Sequence, residues 1–316
     1  MKNALVSIII PTRNRAHLLD KSIRSCLSQT YKNMELIVVD DSSTDNTPTI
    51  VKHLGNEDNR VTYIRNSTHQ GLPASRNIGL FHAHGEYIFF SEDDLILSRD
   101  VIEILIDTYI KLSAKLKIGA IAPRVKLVSN NLFYKRRIHE YKYVIAPINE
   151  LTGEPYFCYD IPASNILLAQ HLPATAFIPR KVFKEIGVYY TGYKYNYMCE
   201  ESDIYLRMLK RNYVLVYQPK AVAFHIIWSR GGCRVNSFLT KYIAFLYNHS
   251  LFLIRMYGAR AIPMFLAFLL KNVLKIGYWN NSRKLAESVT LVEKAGTRKA
   301  YWKILIHYSN ILKSIS

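Results

Sequence analysis

Strand-like and helix-like patterns alternate through the first part of this 316-residue chain. The apolar run VSIII (6–10) ends at Pro11, as expected of a strand buried on both faces, and a helical period follows in the apolar residues of 18–27. The same alternation predicts strands at 35–41, 61–66, 87–90 and 118–128, with a helix before each. Such units pair in parallel, so the predicted fold class is α/β, with a mostly parallel central sheet flanked by helices.

Three polar segments follow the ends of predicted strands, namely PTRNR, DDSSTD and SEDD. In parallel sheets, ligands bind beyond the carboxyl ends of the strands, so these segments are expected to meet at one edge. The last segment contains three adjacent carboxylates, Glu92, Asp93 and Asp94, directly after the apolar YIFF. Adjacent like charges repel each other unless a cation lies among them. The triplet therefore indicates a cation site or, alternatively, a solvated loop.

The second half of the chain is less regular. No clean period runs through 130–165, which is predicted to be a loop with short strand pieces. A strand and a short helix are predicted over 166–187, and a helix over 199–212 begins with carboxylates in its first turn. Strand pieces lead to His225, and two amphipathic helices are predicted over 235–277.

Positive charge is concentrated at the end of the chain. The net charge is +18, and residues 233–316 contain 13 Lys and Arg against 2 Asp and Glu, a net of +11. Aliphatic and aromatic stretches edged by such charge favour an anionic membrane surface as a partner, and they disfavour nucleic acid. The alternative is packing on the rest of the chain or on a second subunit. Residues 233–316 are predicted to form a basic, amphipathic helical region.

The cysteines and the longest apolar run bear on location. The four cysteines are widely separated and form no CxxC pair, which argues against a zinc site or a disulfide scaffold and favours a reducing compartment. The run IPMFLAFLL (262–270) is shorter than the roughly 18–20 residues that span a bilayer. The expected location is cytoplasmic, peripheral on the inner face of the cell membrane.

An ordered series of motifs gives the chain a resemblance to the family 2 glycosyltransferases. The series is SIIIPTRNR, LIVVDDSSTDNT, GLPASRNIG, YIFFSEDD and EESDIYLR, and it covers roughly residues 5–230. The resemblance implies a GT-A catalytic domain over 1–232, with a nucleotide-binding half at 1–128 and an acceptor half at 129–232. It also implies inverting transfer from a nucleoside-diphosphate sugar to the hydroxyl of an acceptor, in glycan or lipid-linked oligosaccharide or polysaccharide synthesis.

The resemblance assigns nucleotide contacts to residues in four of these motifs. They are Pro11, Thr12, Arg13, Asn14, Asp41, Arg76, Asn77 and Asp93, and Arg13 to Arg15 are expected to border the nucleotide. Among them, Asp41 is expected to accept an N–H group of the base, while Arg76 and Asn77 match the family's ARN element near the phosphates. The residues alone leave open that Asn14 caps a helix and that Arg76 is a surface charge.

The acidic triplet falls where the family has a DxD-like motif that holds Mg²⁺ or Mn²⁺. The resemblance implies that Asp94 is a metal ligand, that Asp93 lies near the ribose or the metal, and that His225 lies near the metal and the phosphates. Several carboxylates and a diphosphate need a divalent cation among them, and oxygen ligands suit it. Ser91 stands where many relatives have the first Asp of the motif.

The helix that begins with EESDIYLR carries the expected catalytic base. Glu201 lies at the family's base position, with Glu in place of the more usual Asp, and can accept the proton of the acceptor hydroxyl. Glu200 and Asp203 are candidate acceptor-side residues, and Asp203 is expected to pair with Arg207 one turn later. The alternative is that these carboxylates only complement a helix N-terminus.

Two other functions are weighed against a transferase. A non-catalytic relative that binds nucleotide sugars or glycans would accommodate Ser91 and Glu201 as departures from the family pattern. A Rossmann-type oxidoreductase is disfavoured because no GxGxxG motif follows the first strand.

Overall fold

The computed structural model describes residues 3–128, 144–155, 159–226, 231–234 and 237–272. Within these ranges, ten strands form one sheet. The strands are β1 (Val6–Thr12), β2 (Met34–Asp40), β3 (Val61–Arg65), β4 (Tyr87–Phe90), β5 (Leu95–Leu97), β6 (Ile118–Val128), β7 (Val144–Ile145), β8 (Leu167–Ala169), β9 (Ala176–Pro179) and β10 (Val214–Ile226). The helices are α1 (Ala16–Leu27), α2 (Thr47–Glu57), α3 (Leu72–His82), α4 (Val101–Ser113), α5 (Arg180–Ile186), α6 (Glu200–Lys210), α7 (Phe238–Tyr257) and α8 (Ala261–Asn272).

The sheet is mixed, with a parallel majority. Its order is β3-β2-β1-β4-β9-β6-β10-β8-β7, and β5 pairs with β10 beside this path. The first four strands pair in parallel, as the βαβ pattern predicts, and β6 and β10 run in the same direction. The strands β5, β8 and β9 pair antiparallel to their neighbours, and short β7 follows the direction of β8. The α/β prediction is confirmed. The strands that run against the parallel majority either are only three or four residues long or lie in segments without a clear sequence period.

Both faces of the sheet are buried, which explains the unbroken apolar run in β1. Ile8 and Ile10 point into a core formed with α1, α2 and α4, whereas Ile9 points into a second core with α3, α5 and α6. Each of the three side chains is completely buried. A strand with this environment gains from apolar residues at every position, so it lacks the alternation of a half-exposed strand.

Helix α3 packs close to the sheet at Gly79, and this contact gives a stability prediction. A Cβ atom at Gly79 would lie 2.4 Å from Cγ2 of Ile9. We therefore expect Gly79→Ala to lower the free energy of unfolding by about 1–3 kcal/mol, measured by urea denaturation. Gly55 in α2 is the matched control, because its Cβ would meet nothing closer than 3.7 Å. Gly55→Ala should raise the stability by up to about 1 kcal/mol, and equal effects of the two substitutions would contradict the packing argument.

A short strand that the sequence analysis did not predict links the acidic triplet to the end of β10. Strand β5 follows the acidic triplet directly and pairs antiparallel with β10, so that Leu95 lies opposite His225. The backbone N–H of Ile226 also donates to the carbonyl oxygen of Asp94 at 2.9 Å. This pairing brings His225 to the acidic triplet although about 130 residues separate them in the sequence.

The two helices predicted near the end are confirmed as α7 and α8, and residues 273–277 of that prediction lie outside the described residues. The helices pack on the segment around α6 through a third apolar cluster, which includes Tyr193, Cys199, Phe252 and Leu253. By length and composition alone, 238–272 is the one helical stretch in the described part of the chain that could cross a membrane. The division into a catalytic domain and a separate tail remains a prediction.

Candidate active site

A cavity of about 910 Å³ opens at the carboxyl ends of β1, β2 and β4. The loops after these strands supply one wall, and the start of α6 and the end of β10 supply others. The predicted site residues that line the cavity are Pro11, Thr12, Arg13, Asp41, Asp93, Asp94, Glu201 and His225. The expected convergence of strand ends therefore occurs, and it brings candidate nucleotide, metal and base residues into one space.

The acidic triplet is not a solvated loop, because Asp93 and Asp94 are buried and held by hydrogen bonds. Thr12 Oγ1 donates to Asp93 at 2.8 Å, and Arg15 Nη1 donates to Asp93 at 3.0 Å and also to Asp94. Burial and the charge of Asp94 raise the pKa of Asp93. Arg15 was expected only to border the nucleotide, and its contact with Asp93 and Asp94 was not predicted, although the requirement for a cation in the triplet was the signal that could have found it.

Asp94 also pairs with His225. Its Oδ2 lies 3.2 Å from His225 Nε2, and both residues line the cavity. Burial would raise the pKa of Asp94, but His225 and Arg15 lower it below its usual value. Burial would likewise lower the pKa of His225, whereas Asp94 and Glu92 raise it overall. Ser91 is completely buried and is not part of the cavity wall, so this departure from the family motif leaves the Asp94–His225 pair intact.

The donor atoms of Asp94 and His225 fit a divalent cation that also binds a diphosphate. Mg²⁺ is commonly held by one or two carboxylates together with substrate phosphates, and Mn²⁺ accepts the same oxygen ligands as well as imidazole. Across the described residues, no group of three or more His, Cys, Asp and Glu side chains is arranged to hold a metal. The protein would therefore supply part of the coordination, and the substrate the rest.

Asp41 organises the loop between β3 and α3. Its carboxylate accepts hydrogen bonds from Asn66 Nδ2 (2.9 Å) and from the backbone N–H groups of Gln70 (2.7 Å) and Gly71 (2.8 Å), and His69 Nδ1 lies 2.6 Å away. Burial alone would raise the pKa of Asp41, but these hydrogen bonds lower it. Four partners fill the usual capacity of a carboxylate, so a bound base would have to replace one of them. Base recognition by Asp41 remains a prediction.

Asn14 joins the loops after β1 and β2. It has a left-handed backbone (φ 53°), a conformation that Asn tolerates better than most residues. Its Oδ1 accepts from the N–H of Thr44 at 2.7 Å, and its own N–H donates to Ser43 Oγ at 3.0 Å. Helix α1 has Arg15 at its N-cap position, so Asn14 does not cap it. Its contacts position the loop.

Arg76 and Asn77 lie away from the cavity wall, in contrast to the expectation from the ARN element. Arg76 is completely buried and pairs with Glu200, and its Cζ atom lies 5.2 Å from the ring centroid of Tyr189. Asn77 exchanges two hydrogen bonds with the backbone of Tyr189, at 2.8 and 2.9 Å. Leu72 and Ser75 at the start of α3 line the cavity, whereas Arg76 lies one turn further along the same face as Leu72, where it pairs with Glu200. Asn77 lies on another side of α3, against Tyr189.

Helix α6 presents one of its first carboxylates to the cavity and buries the others. Glu201 lines the cavity, and burial raises its pKa although the charge of Arg76 lowers it in part. Glu200 is buried against Arg76 below it. Asp203 is completely buried and accepts from Tyr193 OH (2.9 Å), Arg207 (2.6 Å) and Arg255 (2.8 Å). The predicted Asp203–Arg207 pair is confirmed.

Hydrogen bonds from α7 hold the segment that precedes α6. Tyr195, Tyr197 and Cys199 all have left-handed backbones, with φ of 62°, 54° and 76°. Such conformations cost of order 1–3 kcal/mol each and persist only where the surroundings hold them. Asn248 supplies part of that support, because it accepts from the N–H of Lys194 and donates to its carbonyl, both at 2.9 Å.

Comparisons with known proteins bear on the family to which the chain belongs. The family model for glycosyl transferase family 2 matches residues 7–186. A GalNAc(5)-diNAcBac-PP-undecaprenol beta-1,3-glucosyltransferase of Campylobacter jejuni is 42% identical over 90 residues, which cover 28% of this chain and 29% of that protein. The Escherichia coli UDP-Glc:alpha-D-GlcNAc-diphosphoundecaprenol beta-1,3-glucosyltransferase WfgD is 36% identical over 131 residues, covering 42% of this chain and 49% of that protein. The matched segments thus span less than half of either relative.

Solved structures share the fold over a longer range. S. aureus TarS 1–349 in complex with UDP-GlcNAc superposes with a TM-score of 0.58 at 15% identity, and its complex with UDP gives 0.55 at 15%. Each alignment covers 86% of this chain and 74% of the TarS chain. From the family match, which takes in more than half of the chain, and from this shared architecture, we conclude that the protein belongs to glycosyl transferase family 2 and has the GT-A fold.

Proposed function

We propose that the protein is an inverting, metal-dependent glycosyltransferase that moves a sugar from a nucleoside-diphosphate sugar to an acceptor hydroxyl. The observation that supports this most directly is that one cavity contains both the Asp94–His225 pair and the carboxylate of Glu201. A non-catalytic binding protein would need the first pair but would not need a carboxylate with a raised pKa facing the same space.

In this proposal the donor nucleotide occupies the wall formed by the loops after β1 and β2. UDP is the proposed nucleotide, because the similar TarS structures are complexes with UDP and UDP-GlcNAc, and the relative WfgD is named for UDP-Glc. Asp94 and His225 would hold Mg²⁺ or Mn²⁺, which supplies positive charge for the leaving diphosphate. Arg15 keeps the neighbouring Asp93 and Asp94 oriented through its hydrogen bonds.

Glu201 performs the proton transfer in the proposed mechanism. Its carboxylate accepts the proton of the acceptor hydroxyl while the hydroxyl oxygen attacks the anomeric carbon. The bond between that carbon and the phosphate oxygen breaks on the opposite face, and the electron pair leaves with the diphosphate. One displacement of this kind inverts the anomeric configuration. Arg76 and Glu200 support the start of α6 from below and thereby orient Glu201.

The proposed acceptor is a lipid-linked saccharide at the inner face of the cell membrane. The relatives from C. jejuni and E. coli are named for undecaprenol-linked diphosphates. Helices α7 and α8 leave a row of apolar side chains exposed to solvent, namely Phe238, Leu239, Ile243, Ile254, Ile262, Leu266 and Leu270. Together with the net charge of +11 over 233–316, this face suits an anionic bilayer surface.

A donor panel tests the proposal. UDP-, GDP- and TDP-sugars are incubated with the protein, Mn²⁺ and vesicles that contain a diphosphoundecaprenol-linked sugar. The release of the nucleoside diphosphate is measured together with the mass of the lipid. We expect release from a UDP-sugar that requires Mn²⁺, a lipid product heavier by one sugar residue, and an inverted anomeric configuration by NMR. Failure of every nucleotide to bind, with or without Mn²⁺, would overturn the proposed function.

A further inference from the structure

The cavity extends past Glu201 to the first turns of α7. There it is lined by Phe238, Lys241, Tyr242 and Phe245. None of these residues belongs to the loops that carry the candidate nucleotide and metal residues. Glu201 comes from α6, and the cavity connects it both to the acidic pair and to this α7 wall, so the wall is available to a second substrate.

The α7 wall presents an aromatic platform. Phe238 and Tyr242 are one helical turn apart, and their rings are almost parallel, with 16° between the planes and 6.4 Å between the centroids. Phe245 follows one turn later on the same face and packs against Phe268 of α8 at 4.7 Å between centroids, which fixes this end of the row. Aromatic faces of this kind bury the apolar C–H face of a sugar ring and leave its hydroxyl groups free.

A cation lies within the same row. Lys241 is adjacent to Tyr242, lines the cavity and is exposed, and Arg234 lines the cavity before the helix begins. The carboxylates that line the cavity come from the loops after β2 and β4 and from α6, and none comes from α7. Two positive charges beside an aromatic platform match a sugar that carries a phosphate or diphosphate group.

An exposed apolar row adjoins the platform. The residues Phe238, Leu239 and Ile243 are 83%, 65% and 43% exposed, although they are large and apolar. Leu239 and Ile243 are one turn apart on the helix, so they form a continuous strip beside the cation. A soluble saccharide would not need such a strip, whereas a hydrocarbon chain attached to the phosphate would cover it.

We propose that the first turns of α7 are the acceptor subsite and that their ligand is a sugar linked through a diphosphate to a polyprenyl chain. The sugar lies on Phe238 and Tyr242 with its hydroxyl toward Glu201, the diphosphate meets Lys241, and the chain runs along Leu239 and Ile243. This inference rests on the proposed function, because it assigns the second substrate of the same reaction.

Binding to vesicles tests the subsite without turnover. The probe is phosphatidylcholine vesicles that contain GlcNAc-diphosphoundecaprenol, and the comparison vesicles contain phosphatidylglycerol at equal surface charge. The proteins are the full chain and its Lys241→Glu and Tyr242→Ala variants. Lys52→Glu is the matched control, since Lys52 is an exposed lysine on α2 away from the cavity. Titration with UDP and Mn²⁺ verifies that each variant is folded.

We expect both α7 variants to bind the probe vesicles at least tenfold more weakly than the unmodified full chain does. Their affinity for the phosphatidylglycerol vesicles should fall by less than twofold. The control should bind both kinds of vesicle as the full chain does. Equal binding of variants and full chain to the probe, or an equal loss on both kinds of vesicle, would overturn the subsite. Failure of the proposed function would appear separately, as absence of UDP binding and sugar transfer by the full chain.

Discussion

Replacing Glu201 with Gln is expected to reduce the rate constant of sugar transfer by about 10²–10⁴-fold, the usual contribution of general base catalysis. Gln keeps the shape of the side chain but cannot accept the proton of the acceptor hydroxyl. The affinity for UDP with Mn²⁺ should stay within twofold, because the candidate nucleotide and metal residues lie in other loops of the cavity. The transfer rate is measured by release of the nucleoside diphosphate, and the affinity for UDP is measured by titration calorimetry.

The pH dependence of transfer gives an independent check on Glu201. Its pKa is raised by burial, and Arg76 offsets this only in part. A base acts in its deprotonated form, so the rate should fall as the pH is lowered through this raised pKa. The loss should begin at a higher pH than for an exposed Glu, whose pKa is about 4.3. The residual rate of Glu201→Gln should lack this dependence.

Two further variants sharpen the assignment of the base. Glu201→Asp retains a carboxylate and should keep a larger part of the activity than Glu201→Gln, although the carboxylate moves back by about one bond. Glu103→Gln changes a carboxylate on α4 that does not line the cavity, and it should leave the rate unchanged. If Glu201→Gln transferred sugar at the rate of the unmodified chain, the base would have to be another residue.

Replacing Asp94 with Asn is expected to weaken Mn²⁺-dependent binding of UDP by about 100-fold or more. Loss of groups that merely orient a metal ligand already costs about 10–100-fold in affinity, and Asp94 is proposed as a ligand itself. In the absence of metal the effect should reverse, because the substitution removes a negative charge that repels the diphosphate. Calorimetry with UDP, with and without Mn²⁺, measures both effects.

The control for this prediction is Asp107→Asn, which removes a negative charge from the exposed side of α4. It should leave UDP binding unchanged under both conditions, apart from small long-range effects that salt screens. The same metal dependence in Asp94→Asn as in the unmodified chain would contradict the assignment of Asp94, whose partners would then be Arg15 and His225 rather than a metal.

The sequence predicted the parts of the site that depend on strand ends. Apolar runs with polar residues directly after them located Thr12, Asp41 and the acidic pair, because the carboxyl ends of parallel strands meet at one edge of a sheet. The motif in α3 was less informative, since a series of letters does not say which face of a helix each residue occupies. Arg76 and Asn77 were therefore expected at the nucleotide, whereas Arg76 pairs with Glu200 and Asn77 binds the backbone of Tyr189.

Contacts between distant parts of the chain could not be predicted from patterns. Arg255 binds Asp203 across 52 residues of sequence, and nothing local to α7 indicates which of its two residues Lys241 and Arg255 is bound to α6. Strand β5 has only three residues, too few for a period, and its pairing with β10 explains the position of His225. Arg15 was expected beside the nucleotide, and its contact with Asp93 and Asp94 could have been inferred as well, because two buried carboxylates require a positive partner.

The position of β10 limits which segments of this chain can be exchanged with those of a relative. This strand pairs with β6 between Val214 and Ile226, with two register shifts, and also with β5 and β8, so the last strand of the described residues lies inside the sheet. The family match ends at residue 186, before β10 begins. A chimera spliced at that boundary would join the β6 of one parent to the β10 of another along the whole ladder, and every apolar neighbour would have to fit again. Under the proposed role of α7, new acceptor preferences should therefore arise by substitution on α7 and in the loops, rather than by recombination of whole halves.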